Sequence, residues 1–240
     1  MVGIGTVINC LGIVVGGVIG ICCRAQLSIT LQEALVRAMG LVCIFLGIFG
    51  AIESGVTVVD GVPHAHGTFM VIGSLLGGTL IGHAIGIDAA MHRLGTFLQK
   101  RFGGLSDANF VRGFLVTSLT VSIGAMAVVG AIQDGISGDA TTLITKAVMD
   151  LVITAAFAAS LGRGCLFAAI PVAIIEGTIT LLASLLAPAI TPAAIANISL
   201  VGAMMIFCVG VNVIWEERFK VADMLPAVVI AALWATWPAI

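Results

Sequence analysis

Residues 122–150 read SIGAMAVVGAIQDGISGDATTLITKAVMD. Two apolar runs flank a turn rich in Gly and Asp: Gln133-Asp134-Gly135, then Gly138-Asp139. Beyond the turn, Lys146 and Asp150 enter a run otherwise apolar enough for hydrocarbon. The rest of the chain explains why hydrocarbon is the relevant solvent. Of 240 residues, 60% are hydrophobic and 9% are charged, and the mean hydropathy is +1.22. Soluble domains carry roughly 25% charged residues, and a soluble globule of this size has no interior large enough for so much apolar surface. The composition therefore predicts an all-α fold, a polytopic bundle of transmembrane helices forming a single domain over residues 1–240 with the lipid bilayer as its main partner. A net charge of −2 and the absence of a basic tail argue against a nucleic-acid partner.

Eight segments come near the ~20 apolar residues a spanning helix needs: 2–22, 33–52, 67–86, 110–132, 142–162, 165–187, 194–214 and 222–239. The first lacks a basic leader and is long enough to span, so it reads as a helix rather than a cleaved signal. Basic residues alternate between connections. Arg24 and Arg37 flank the first. Arg93, Lys100, Arg101 and Arg112 belong to the third, Arg163 to the fifth, and Arg218 and Lys220 to the seventh. The second, fourth and sixth connections have none. The positive-inside rule then predicts both termini outside. Within the third connection, Ile87, Met91, Leu94, Leu98 and Phe102 recur at helical spacing against His92, Arg93, Gln99, Lys100 and Arg101. That pattern predicts a short amphipathic helix over 87–103 on the inner membrane surface.

Helix one carries Asn9 on the same face as Gly5, Gly12, Gly16 and Gly20, and helix three echoes it with Gly73, Gly77, Gly78 and Gly82. Small residues at this spacing let membrane helices approach closely. They fit tight packing or a sliding unit, and they admit a homo-oligomer. Helix two opens on Thr30-Leu-Gln-Glu33, which has capping-box spacing. Helix four is rich in hydroxyls (Thr117, Ser118, Thr120, Ser122), and Gly124 and Gly130 loosen its outer half, so a broken or re-entrant end is expected. In helix five, Thr142, Lys146, Asp150 and Thr154 are four apart and form one polar stripe. On a span of 142–162, Asp150 falls about 3 Å from the midplane. Glu176 lies at the centre of helix six, where Pro171 is expected to kink the backbone. Trp234 and Trp237 suit the outer interface. MGLVCIF at 39–45 and VGAMMIF at 201–207 form a faint echo between helices of opposite predicted direction.

Metal and redox readings are weak. The six cysteines (Cys10, Cys22, Cys23, Cys43, Cys165, Cys208) give no disulfide framework, and small buried apolar cysteines account for them better than a soft-metal set of Cys22, Cys23 and Cys165. Asp60, His64 and His66 have metal-ligand chemistry, but two histidines two apart are a weak signal and a hydrated loop explains them far better. There is no zinc-binding HExxH helix and no well-placed nucleophile–histidine pair. Neither an enzyme nor a cofactor is expected.

GAMAVVGAIQDGISGD at 124–139, running on into TTLITKAVMD, resembles the YqgA-like bacterial inner-membrane proteins. GTVINCLGIVVGGVIG near the start and EGTITLLASLLAPAITPAAI from Glu176 resemble them too, so the likeness covers the chain in order. The resemblance implies a multi-pass protein of the bacterial inner membrane, in a family whose function is unknown. It also implies a glutamine where this chain has Glu176 and an acidic residue where it has His83, which would make an ionised Glu176 dispensable to any chemistry the family shares.

An ionisable group near the midplane costs about 2.5–3.5 kcal/mol on insertion scales, so Lys146, Asp150 and Glu176 ask for a reason. One reading is a polar site between helices four, five and six in a transporter of a small hydrophilic solute or ion. Lys146, Thr142, Gln133, Asp134 and Asn9 would line it, and Asp150 or Glu176 would carry a coupling proton or cation. The other reading is a non-transporting scaffold or sensor in which Lys146 and Asp150 are a helix staple.

Overall fold

The computed structural model describes residues 2–103, 109–186, 191–215 and 218–236. Trp237 lies outside the described residues. Apart from one hairpin, the described chain is helical: α1 Ile4–Arg24, α2 Ile29–Gly55, α3 Thr68–Ile85, α4 Ile87–Leu98, α5 Phe110–Ser122, α6 Ala125–Ser137, α7 Thr141–Leu161, α8 Ala169–Leu181, α9 Ala183–Leu186, α10 Pro192–Trp215 and α11 Pro226–Trp234. It is an all-α polytopic membrane bundle. Six segments are each long and apolar enough to cross a membrane: α1, α2, α3, α7, Arg163–Leu181 and α10. The other two predicted segments differ from simple spans. The fourth is the pair α5 and α6, bent by 63°, and the eighth is a shorter apolar stretch, Val221–Trp234.

Paired directions organise the bundle. A Cβ added to Gly12 would lie 2.8 Å from the Ala147 carbonyl oxygen, and Gly16 and Gly20 meet Leu151 and Ala155 in the same sense, so α1 and α7 run parallel. α2 and α10 are antiparallel, with Gly40 against Val213 and Gly47 against Phe207. α3 and α11 are antiparallel, with Gly73 against Trp234 and Gly82 against the backbone of Asp223. The predicted glycine faces are thus the seams where backbones touch, and van der Waals contact supplies the packing energy. The echoing segments 39–45 and 201–207 lie on one antiparallel seam. Large apolar side chains such as Leu41, Phe45, Leu76, Leu80 and Val148 face outward. In lipid that surface is no liability.

The α5–α6 pair runs the length of α7. Gly113 packs on Leu161 at one end, and Gly130 packs on Thr142 and Leu143 at the other. The break falls where Ile123 is extended and Gly124 takes φ 148, ψ 155, a conformation open in practice to glycine alone. The expected break in helix four is therefore present, and it lies within the length of the bundle.

Some local expectations change. α2 begins at Ile29, and its cap is Ser28, whose hydroxyl accepts from Leu31 N at 3.3 Å, rather than Thr30. Helix six starts as a 3-10 segment, Arg163–Ala168, which places Pro171 in the first turn of α8. A proline there removes no bond the helix interior needs, so the predicted mid-helix kink does not arise. Val56–Val59 and Val62–Ala65 form an antiparallel hairpin across Asp60-Gly61, both at positive φ, as a two-residue turn requires. Its histidines, His64 and His66, lie exposed on and beside the second strand. α4 continues into a π-helical turn, Gln99–Gly103, as the amphipathic pattern predicted. Much of its apolar face is spent on protein: Leu98 packs with Phe110 and Phe114 of α5.

Candidate functional site

Four of the seven predicted site residues converge. Lys146 and Asp150 come from α7, Glu176 from α8 and Asn9 from α1, at 6%, 4%, 1% and 0% exposure. Helical spacing sets the first pair: Lys146 and Asp150 are one turn apart, and Lys146 Nζ donates to Asp150 Oδ2. The same ammonium lies 3.5 Å from Glu176 Oε1 and donates to the carbonyl oxygen of Val121 at 2.7 Å. Asn9 Nδ2 donates to Glu176 Oε1 at 2.9 Å.

The Val121 contact follows from the break in helix four. A helix leaves its last carbonyls without intrahelical partners, and they carry the negative end of the dipole. Ending α5 at Ser122 puts such a carbonyl in the interior, and the Lys146 ammonium fills the vacancy. Sequence reasoning placed the break but missed this backbone ligand, whose only signal was the hydroxyl-rich run ahead of Gly124. It also put the site between helices four, five and six. Helices five and six, α7 and α8, supply three of the side chains and helix four a carbonyl, and α1 adds Asn9.

Gln133, Asp134 and Thr142 stand apart from the cluster. Thr142 Oγ1 donates to Gln133 Oε1 at 2.7 Å, which ties α7 to α6. Asp134 Oδ2 accepts from Gly5 N at 2.9 Å, so this fully buried carboxylate caps the first turn of α1.

Charge and hydrogen bonding leave the cluster unbalanced. Two carboxylates face one ammonium, an excess of one negative charge if both are ionised. Lys146 has two hydrogen-bond acceptors and an ion-pair partner in Glu176, but several buried polar atoms have no partner among the described residues: Glu176 Oε2, Asn9 Oδ1, Thr154 Oγ1 and Ser122 Oγ. Native interiors leave few such groups. An arrangement of this kind can accept a proton or a small polar species. No group of three or more His, Cys, Asp or Glu suited to a metal occurs among the described residues.

A further buried acid, Asp223, escaped the sequence reading. Asp223, 2% exposed, accepts from Asp88 N at 2.8 Å through Oδ1 and sits 3.3 Å from His83 Nδ1 through Oδ2. It caps α4 from the 3-10 turn Val221–Met224 that precedes α11. Its only signal was an isolated acid in an apolar run.

An all-α membrane bundle with a charged cluster in its interior is the class that fold and site define. The chain belongs to the family described as Protein of unknown function (DUF554), which matches residues 4–236. It is 29% identical over 242 residues to the Uncharacterized protein YqgA of Escherichia coli (strain K12), covering 98% of each chain. It is 26% identical over 226 residues to the Uncharacterized membrane protein YdfK of Bacillus subtilis (strain 168), covering 94% of this chain and 93% of that one. No solved structure matches it.

Proposed function

We propose that the protein is a transporter of a small hydrophilic solute or ion in the bacterial inner membrane, with both termini outside. The observation that carries this reading is the Lys146–Asp150–Glu176–Asn9 cluster, buried beside a helix break and holding acceptor atoms without donors. Broken helices that present backbone carbonyls to charged groups are how transporter folds build sites within a bilayer. In this reading Asp150 carries the coupling proton, Glu176 sets the charge of the site, and Lys146 holds the two carboxylates together until the solute competes for it. The pair Gln133 and Thr142 stands one turn outward and guards the approach.

The test uses membrane vesicles containing the chain, challenged with labelled amino acids, small carboxylates and monovalent cations while a pH-sensitive dye follows proton movement. Solute-dependent uptake coupled to proton entry, lost in Asp150→Asn and Lys146→Met although both variants insert, is the expected result. Uptake equal to that of empty vesicles, or full activity in both variants, would end the proposal.

One observation favours a second reading, a non-transporting scaffold or sensor. Lys146 already donates to Asp150 and to the Val121 carbonyl and pairs with Glu176 within the fold, as in a staple. That reading expects no solute-dependent rise in the thermal midpoint of the purified protein, and a membrane partner that co-purifies with it.

A further inference from the structure

At the arginine-bearing end of the bundle two cavities adjoin, and Arg112 lines both. The larger, about 580 Å³, lies where α1, α7 and α10 end and α2 and α5 begin. Arg24, Arg37 and Arg112 line it with Gln32, Asn109 and Ser160, and Glu33 is the carboxylate on its wall. Three guanidinium groups against one carboxylate leave two positive charges. Two of the arginines are fixed in place. Arg24 Nη1 donates to the Ser160 carbonyl oxygen at 2.7 Å, and Arg112 Nη2 donates to that of Val213 at 2.7 Å. Each spends one donor on a helix end, where a cation is favoured, out of the five a guanidinium carries. Arg37 is exposed.

The smaller cavity, about 320 Å³, has a different character. From Arg112 it follows α5 along Leu115, Val116 and Leu119 and meets Val209 of α10. At 1.5 Å per residue, Arg112 to Leu119 is about 10 Å. One leaflet of hydrocarbon is about 15 Å deep, half the bilayer core. Asp88, also on this wall, lies 3.9 Å from His92.

A basic mouth opening onto an apolar groove that runs along the helices matches an amphiphile with an anionic head. We propose that the two cavities together seat one anionic phospholipid. Its phosphate diester lies against Arg24, Arg37 and Arg112, and one acyl chain lies along Leu115, Leu119 and Val209. Guanidinium groups suit this role because their planar fork matches phosphate oxygens. A free phosphate would use the mouth but leave the apolar groove without an occupant, which is why the lipid is favoured. The proposal does not depend on transport.

The experiment measures lipid retention. The full chain is reconstituted in bilayer discs of phosphatidylglycerol and phosphatidylcholine, extracted with uncharged detergent and weighed by native mass spectrometry. Preferential retention of one phosphatidylglycerol is expected. Arg37→Gln, on an exposed side chain that caps no helix, should weaken retention about fivefold, the share of one surface cation. Leu115→Trp should displace the lipid by filling the groove while leaving the mouth intact. Equal retention of phosphatidylcholine, or unchanged retention in both variants, overturns the proposal. So does inorganic phosphate that binds the lipid-free protein and displaces no lipid, since the site would then serve a free anion.

Discussion

Among the described residues three acidic centres are buried, Asp134 at the start of α1, Asp223, and the cluster around Lys146, and the last two are satisfied to different degrees. Asp223, near the arginine-bearing end, spends one oxygen on the Asp88 backbone and places the other beside His83. It is a helix cap supplied from a neighbouring segment, and its site needs nothing more. The cluster of Lys146, Asp150 and Glu176 has more charge, sits deeper among helices and is less complete. Glu176 Oε1 receives Asn9 Nδ2 and stands near Lys146, while Glu176 Oε2 has no donor among the described residues. Burial alone therefore separates no functional acid from a structural one. The two centres differ in whether every oxygen has found a donor among the described residues, and Asp134, a buried cap of α1 whose Oδ1 has none, falls between them.

Breaking the cluster should have the largest effect. Lys146→Met leaves two buried carboxylates without their cation, and removing one partner of a buried ionic pair costs about 3–5 kcal/mol. Thermal unfolding in detergent should show that loss. A loss under about 1 kcal/mol, the scale of an exposed pair, would mean that the carboxylates do not depend on the ammonium. Asp223→Ala should cost less, about 1–2 kcal/mol for a lost cap, and should leave solute uptake unchanged. A fall in uptake without a fall in stability would move Asp223 from the structural side of the comparison to the functional one.

Glu176→Gln sharpens the same contrast. The amide oxygen can still accept from Asn9 and Lys146, and the unmatched charge disappears. Stability should change by less than about 1 kcal/mol, the net worth of an ordinary hydrogen bond, while the pH profile of uptake shifts. A destabilisation as large as that of Lys146→Met would show that the charge on Glu176 holds the fold together.

Much of this was legible in the sequence because membrane helices obey few rules. Segment positions, the amphipathic helix and the glycine seams follow from hydropathy and from spacings of three and four residues. The stripe of Lys146, Asp150 and Thr154 follows from the same arithmetic. The hairpin at 56–65 was legible too: Val58-Val59-Asp60-Gly61-Val62 is a strand, a two-residue turn and a strand, masked by the expectation of a loop between spans. The meeting of Asn9 with Glu176 was out of reach, since it joins residues on α1 and α8 and depends on which faces pack. The Val121 carbonyl was out of reach for another reason: a backbone atom has no letter in the sequence.

The smallest expected effect concerns an exposed carboxylate, which serves as the reference for the buried ones. Asp139, in the turn before α7, accepts from Thr141 N at 3.0 Å through Oδ1. Hydrogen bonds from Thr141 hold its carboxyl below the usual aspartate value of 3.8. A carboxylate whose folded value is depressed stabilises the protein above its unfolded value and loses that contribution as pH falls through the folded one. The contribution of Asp139 is therefore complete at neutral pH and fades only below about pH 4. Asp139→Ala should lower the thermal midpoint slightly at pH 7, and the gap from the parent protein should close in acid. A gap of constant size across that range would trace the effect to the turn's backbone rather than to the ionised carboxylate, and the hydrogen bond to Thr141 would then owe nothing to charge.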